Sequence, residues 1–499
     1  LYHLDQKQAA LQGTLPLWRT TKSQPTACSL LFDLMLSDHL LNQTHIDERI
    51  RLALSKNNSA LAFYLLQRSG AVRRQELQWF NQITHHPKAI LTLKSGPLSG
   101  ALYTYGLKLM VVRDMTSAKT LWLHPQTALL LNTDESQQFL AYMALYKAMR
   151  NQGDAEFWLA QVKPGYYTST LRDWEIRYAL MHQNWKKILQ LTADKNAIQA
   201  MPQWQYWRAR ALGALGHSQE AQPYYQQLAQ KRSYYGFLAS RQLRQPMQFE
   251  RESAYLDLNI LTVYAPITDK IRALYQSKQS WLAARMLNEF SSELPKPEKS
   301  ALTYWVAQHL HWPGRAIYLS SSDEALFNQL SLRFPFHYQS IIQQFSEQYR
   351  IPTALIYAII RQESTFQEDI QSQAGAYGLM QVLPRTAKMI AKSAKMAYFK
   401  PNDLFFPKTN IQFGVAYLKL LSHQFHAHPL LMAAAYNAGP KQVQHWIKHH
   451  PPKDIDIWIE TLPWQETRNY LKNIIAFYAV YQYKLHQSPN IECFMQSLS

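Results

Sequence analysis

Apolar residues recur at steps of three and four along most of the chain, the signature of helices with one buried face. From Leu1 to about Leu261, Leu, Ala, Trp and Tyr repeat in this way between short polar or glycine breaks. Two stretches predict helix pairs. The first runs from Trp174 to Leu189, with Trp185 opening its second helix. The second runs from Trp207 to Leu228, with Gly213 and Gly216 at the break and Glu220-Ala221 restarting. The Trp174-to-Trp207 spacing fits a degenerate tetratricopeptide-like period in the low thirties, and such units stack into a superhelix because none buries its face alone. The aromatic stripe reads as core, with a protein-binding solenoid as the alternative. Tyr234-Tyr235-Gly236 and Gln245-Pro246 close the repeats.

A second helical stretch continues to about Leu332. It is interrupted at Ser291–Pro297 and at Trp312-Pro313-Gly314, where proline and glycine forbid continuous helix. Arg333-Phe334-Pro335 opens the last part. There Pro352 suits a helix start, with Leu355, Ile356, Ile359, Ile360 and Phe366 as its apolar stripe. Further helices are predicted over Ile411–Leu421, over Leu430–Tyr436 with Gly439-Pro440 as the stop, and over Trp464–Tyr483. Gly414 inside its helix implies close packing, since glycine there otherwise costs about 1 kcal/mol. No β-rich region appears, although the last part has room for a short hairpin. The expected fold is all-α in three parts: a superhelical scaffold over 1–262, a helical linker over 263–333 and a compact helical domain over 334–499.

Length and composition narrow the function classes. A chain of 499 residues exceeds one compact core. Only 15 glycines argue for helices over a turn-rich β protein. No apolar run approaches the roughly eighteen residues that span a membrane. The chain starts at Leu1 without a charged segment and an apolar signal core, and so reads as a processed or trimmed product. Lys plus Arg number 52 against 34 Asp plus Glu, a net charge of +18 that favours anionic partners. It is spread along the chain with no nucleic-acid motif, so nucleic acid is not expected as a partner. A phospholipid surface, cell-wall peptide carboxylates and a merely solvated basic surface stay open. The two cysteines, Cys28 and Cys493, are too few for a disulfide framework.

The candidate chemistry centres on Glu363. It falls on the apolar face of the Pro352 helix, four residues after Ile359. A carboxylate there is costly unless compensated, and desolvation raises its pKa toward the range of a general acid. A core Glu held by an Arg is the competing reading. Gly375, Ala376 and Gly378 then punctuate a turn whose backbone can approach a ligand closely. Glycoside cleavage usually takes two carboxylates. Glu368 and Asp369 look solvated, Asp403 sits in a Pro- and Phe-rich loop, and Glu466, with Arg468 nearby, suits an ion pair. None is an obvious nucleophile. His423, His426 and His428 lack a ligand spacing, so no metal site is expected, and nothing points to a cofactor.

Four motifs stand in order: Glu363-Ser364; Gly375-Ala376-Tyr377-Gly378-Leu379-Met380-Gln381; Ala435-Tyr436-Asn437-Ala438-Gly439; and Glu466-Thr467-Arg468-Asn469-Tyr470. This set resembles that of the soluble lytic murein transglycosylases, glycoside hydrolase family 23 of the large periplasmic type. The motifs cover the last third of the chain, and a looser likeness runs through the N-terminal part, including Lys22–Cys28. The resemblance implies a lysozyme-like catalytic domain beside a superhelix curled into a ring. It implies peptidoglycan glycan strands as substrate, cell-wall synthesis proteins as further partners, a monomer, no cofactor and a periplasmic location. It also implies that the natural N-terminal part precedes Leu1 and holds the cysteine that would pair with Cys28.

The implied reaction uses one acid. Glu363 protonates the oxygen between N-acetylmuramic acid and N-acetylglucosamine, the 2-acetamido group stabilises the cation, and the Glu363 carboxylate then takes the proton of the 6-hydroxyl. That hydroxyl closes on C1 as a 1,6-anhydro end. By the same resemblance, Ser372 and Gln381 bond the muramoyl unit, Tyr436 polarises the site, Asn437 shapes the cleft and Glu466 lies across the groove. Two positions depart from the family: Tyr377, a ring where a small residue is usual, and Leu383, which replaces methionine at similar volume. Both are counted among the substrate-binding positions. A water-using muramidase and a non-enzymatic peptidoglycan-binding scaffold are the alternatives.

Overall fold

The computed structural model of the chain describes residues 6–194, 201–249, 257–321, 323–394, 396–397, 400–451 and 453–497. Helix follows helix, and no strand occurs among the described residues. The all-α fold class is as expected. The chain divides into two compact units, one ending at His182 and the next beginning at Gln183.

The first unit gathers its helices around a large apolar cluster that includes Met35, Ile50, Leu65, Leu102, Leu107, Phe139 and Met143, and a smaller one of Ala148, Ala155, Trp174 and Tyr178. Polar residues end the helices where the pattern breaks. Asn42 and Asn132 each cap the following helix through a reciprocal capping box, with His45 and Glu135 as the returning side chains. The first repeat-like stretch straddles the end of this unit. Its helices are Ser169–Met181 and Trp185–Leu191, with Trp185 opening the second as predicted.

In the second unit the repeat-like stretch around Trp207 forms the helices Pro202–Ala214, Ser218–Ala229 and Tyr234–Leu243. The aromatic stripe is core: Tyr206, Trp207, Tyr225 and Tyr235 are buried and pack on one another. Two of their hydroxyls reach buried carboxylates far along the chain. Tyr206 donates to Asp456 at 2.7 Å and Tyr235 to Glu460 at 2.6 Å. Arg210 lies 3.1 Å from Asp456 and Lys472 lies 2.8 Å from Glu460, so both carboxylates are neutralised as well as bonded. These contacts fasten the repeat-like helices to the Ile455–Thr461 helix.

Residues 258–319 gather a cluster of their own around Ile271, Leu287, Leu302, Trp305 and Val306. The breakers act mainly as helix starts. Pro295 caps Lys296–Gln308, and Pro313 opens Pro313–Ser321. Ser291 and Ser292, expected in the first break, are still helical, since Ser280–Glu293 runs up to Leu294.

Nine α-helices follow among the described residues, including Thr353–Glu363, Pro407–Gln424, Pro429–Ala438 and Gln465–Lys484. Pro352 is the N-cap of the first. Gly439, at φ +85°, ends the third, and Pro440 at once starts another helix, Pro440–His449. The expected hairpin is reduced to isolated antiparallel bridges from Tyr377 to Gln371 and to Val382.

Candidate active site

Thr353–Glu363 is buried along nearly its whole length, and Glu363 is its last residue. The side chain emerges where the helix stops and stays partly accessible. The backbone beyond it is held off its preferred path: Thr365 and Phe366 take left-handed conformations, φ 50° and 64°. Each costs roughly 1–2 kcal/mol for an L-residue. Phe366 is buried, and Ser364 Oγ accepts its N–H at 3.1 Å, which holds the turn.

Burial pushes the Glu363 carboxyl up to about 7, against an opposing hydrogen bond from Tyr470 and with help from the Glu466 charge. Tyr470 donates to Glu363 Oε1 at 2.7 Å. The influences on this carboxyl are thus desolvation, a phenol and another carboxylate, and the reading of a core Glu held by an Arg does not describe it. Arg361, two residues back and so on another face of the helix, donates to the Arg333 carbonyl at 2.7 Å.

The glycine turn lies over the Pro407–Gln424 helix. A Cβ on Gly378, whose φ is +69°, would stand 2.4 Å from the Leu404 carbonyl and 2.5 Å from Asn410 Nδ2. Gly414 lets Met380 in, since a Cβ there would meet its sulfur at 2.4 Å, so the predicted close packing is real. Asn410, fully buried, makes three hydrogen bonds, two of them to the turn. It donates to the carbonyls of Tyr377 at 2.7 Å and Leu404 at 2.6 Å, and accepts the Met380 N–H at 2.7 Å. Ser372 Oγ accepts the Ala376 N–H at 3.0 Å. Gln381, at φ 47°, donates to the Gly378 carbonyl at 2.9 Å and the Ile370 carbonyl at 3.3 Å. Both polar side chains therefore also brace the turn from within. Tyr377 sets its ring edge-on to Phe405, 5.0 Å between centroids. Leu383 is the half-buried N-cap of Pro384–Ser393.

Three hydrogen bonds draw the four motifs together. Tyr470 to Glu363 joins the fourth to the first. Tyr436 donates to the Met380 carbonyl at 2.7 Å, joining the third to the second. Asn437 donates to Glu466 Oε1 at 3.4 Å, joining the third to the fourth, and accepts the Thr467 hydroxyl at 2.8 Å. Burial, the Glu363 charge and Tyr417 raise the Tyr436 phenol well above its ordinary pKa, so it stays a donor. Glu466 is exposed. Arg468, beside it in sequence, donates to the Leu462 and Pro463 carbonyls at 2.5 and 3.2 Å.

Tyr470 and Asn410 carry weight that sequence reasoning did not assign them. Tyr470 belongs to the fourth motif but reads as part of a Tyr-rich core stripe. Asn410 stands just before a predicted helix, and no spacing signals its buried, triply bonded side chain.

The profile described as "Transglycosylase SLT domain" matches residues 340–459. The soluble lytic murein transglycosylase of Escherichia coli K12 is 26% identical over 98% of this chain and 77% of its own length. Among solved structures, an inactive mutant of the lytic transglycosylase Slt from Pseudomonas aeruginosa superposes with a TM-score of 0.87 at 29% identity, covering 98% of this chain and 81% of that one. The 70 kDa soluble lytic transglycosylase of Escherichia coli superposes with a TM-score of 0.86 at 25% identity, covering 100% of this chain and 82% of the other.

Proposed function

We propose that Glu363 is the single acid-then-base of this chain, which belongs to the soluble lytic murein transglycosylases and cleaves peptidoglycan without consuming water. The observation that carries the assignment is a mostly buried, partly accessible carboxyl raised to about 7 and held by one neutral phenol. Such a group is protonated often enough to give a proton to the leaving glycosidic oxygen, and basic enough afterwards to take one back. Glu466, exposed and bonded to Asn437, raises that pKa and acts as an electrostatic neighbour. Its solvation does not suit a nucleophile, which leaves the substrate's own 2-acetamido group to stabilise the cation and its 6-hydroxyl to close on C1.

Tyr436 and Tyr470 keep their protons and supply hydrogen-bond donors around the reacting centre. Ser372, Tyr377, Gln381, Leu383 and Asn437 form the walls that hold the muramoyl unit. The three-part division at 262 and 333, action as a monomer in the periplasm and association with cell-wall synthesis proteins belong to the same reading. No helix among the described residues is long and apolar enough to cross a membrane.

Glu363→Gln tests the assignment. The variant should still bind isolated glycan strands, while turnover falls by at least about a thousandfold, a loss on the scale of acid–base catalysis. Turnover within tenfold of the wild type would remove Glu363 from the role.

A further inference from the structure

The first unit buries a charge that the catalytic reading does not use. Arg49, on the Gln43–Ser55 helix, is 4% exposed. Its guanidinium is 4.4 Å from the ring centroid of Trp18 and 5.2 Å from that of Phe32. The neighbouring acids are engaged elsewhere: Asp47 with Arg73, Glu48 with Arg19 and Asp33 with Arg68. Among the described residues, Arg49 Nε is buried with no acceptor. Burial lowers the pKa of this arginine, and the influence opposing it is Tyr64. A buried cation without a counter-charge destabilises the fold, and the cation–π contacts offset only part of that. An orphaned buried donor of this kind calls for a group that completes it.

Arg49 lines a cavity of about 290 Å³ together with Trp18, Phe32, Ser23, Ser29 and the Asp33–Arg68 pair. Arg49 and Arg68 against Asp33 leave one surplus positive charge, which matches a monoanion. A guanidinium fork takes a carboxylate in two parallel bonds, and aromatic faces hold the fork flat. Asp33 binds Arg68 through Oδ1, and Oδ2 can accept an amide N–H.

We propose that this cavity binds the carboxyl terminus of a short peptide, its carboxylate on Arg49 and its last amide near Asp33. Peptidoglycan stem peptides end in such groups, and the naming of that source rests on the function proposed above. Bound there, a stem peptide would give the first unit a hold on the substrate separate from Glu363.

Isothermal titration of the full chain with N-acetyl-D-alanyl-D-alanine, and with inorganic phosphate in parallel, tests the proposal. The wild type should take up the dipeptide saturably. Arg49→Lys, which keeps the charge and loses the fork, should weaken binding at least tenfold. Arg49→Met should abolish it and, without ligand, melt no lower than the wild type, since it removes an uncompensated buried charge. Glu363→Gln should bind as the wild type does. No uptake by the wild type, equal uptake by all variants, or uptake of phosphate in place of the dipeptide would overturn the assignment. Binding is read without turnover. Its failure would therefore leave the role of Glu363 standing, and failure of the Glu363 test would leave this site standing.

Discussion

The Tyr470 hydroxyl donates to Glu363 Oε1 across 2.7 Å, and this bond opposes the upward pull of burial on the carboxyl. Burial raises the carboxyl toward neutrality, while the phenol stabilises its charged form and draws it back to about 7. In the role proposed for Glu363 the acid form makes the first proton transfer, so kcat/KM should fall as pH rises through about 7. Removing the phenol in Tyr470→Phe takes away a hydrogen bond to a charged group worth roughly 1.5–3 kcal/mol. The alkaline limb of the profile should then move up by roughly one to two pH units. A pH–rate profile of the two proteins checks this. A limb that stays in place would mean that the bond does not control the acid.

The same shift predicts a stability effect of definite sign. Glu363 has an ordinary pKa of 4.5 and a folded value of about 7, so the native state holds its proton where the unfolded chain has lost it. Stability from this residue is therefore lost as pH climbs from 4.5 to 7. Glu363→Gln removes the titration. Relative to the wild type it should gain up to roughly 3 kcal/mol between pH 4 and pH 8. Urea unfolding at the two pH values measures the gain.

Asn410 and Gly378 pack against each other where the glycine turn meets the Pro407–Gln424 helix. Asn410→Ala leaves the buried Met380 N–H and the Leu404 carbonyl without a partner, while the Tyr377 carbonyl keeps the Val382 N–H, and should cost roughly 2–4 kcal/mol. Gly378→Ala places a methyl group against the Leu404 carbonyl at a left-handed backbone position. It should cost on the order of 2–4 kcal/mol. Both should lower activity further than stability, because the turn carries Ser372, Tyr377 and Gln381. Denaturant midpoints and turnover, measured together, separate the two effects.

Tyr436→Phe removes the donor to the Met380 carbonyl and one polar group at the reacting centre. Turnover should fall by about ten- to a hundredfold, with melting changed by less than the Asn410 variant. Single-turnover digestion of isolated strands would show whether the loss lies in chemistry or in binding.

Much of this site was legible in the sequence because its signals are local. Pro352, the Ile359–Ile360 stripe and the misplaced Glu363 lie within a dozen residues, and Gly414 announces its close packing by its position in a helix. Asn410 was not legible. Its partners lie 6 to 33 residues away, and only folding brings them to one amide. Tyr470 was hidden by its surroundings, since a buried Tyr in a Tyr-rich helix looks like core until its hydroxyl is seen on Glu363. The end of the first unit, between His182 and Gln183, carries no breaker, and the connection from Met181 to Trp185 looks like any other turn between paired helices.

Digestion of purified sacculi in water enriched with oxygen-18 tests the central claim most directly. If Glu363 acts alone and the 6-hydroxyl closes on C1, the muropeptides end in non-reducible anhydro groups, one water lighter than hydrolysis products, and carry no label. Glu363→Gln should release none of them. Reducible ends bearing oxygen-18 would show that water attacks C1, and would contradict a single-acid reaction.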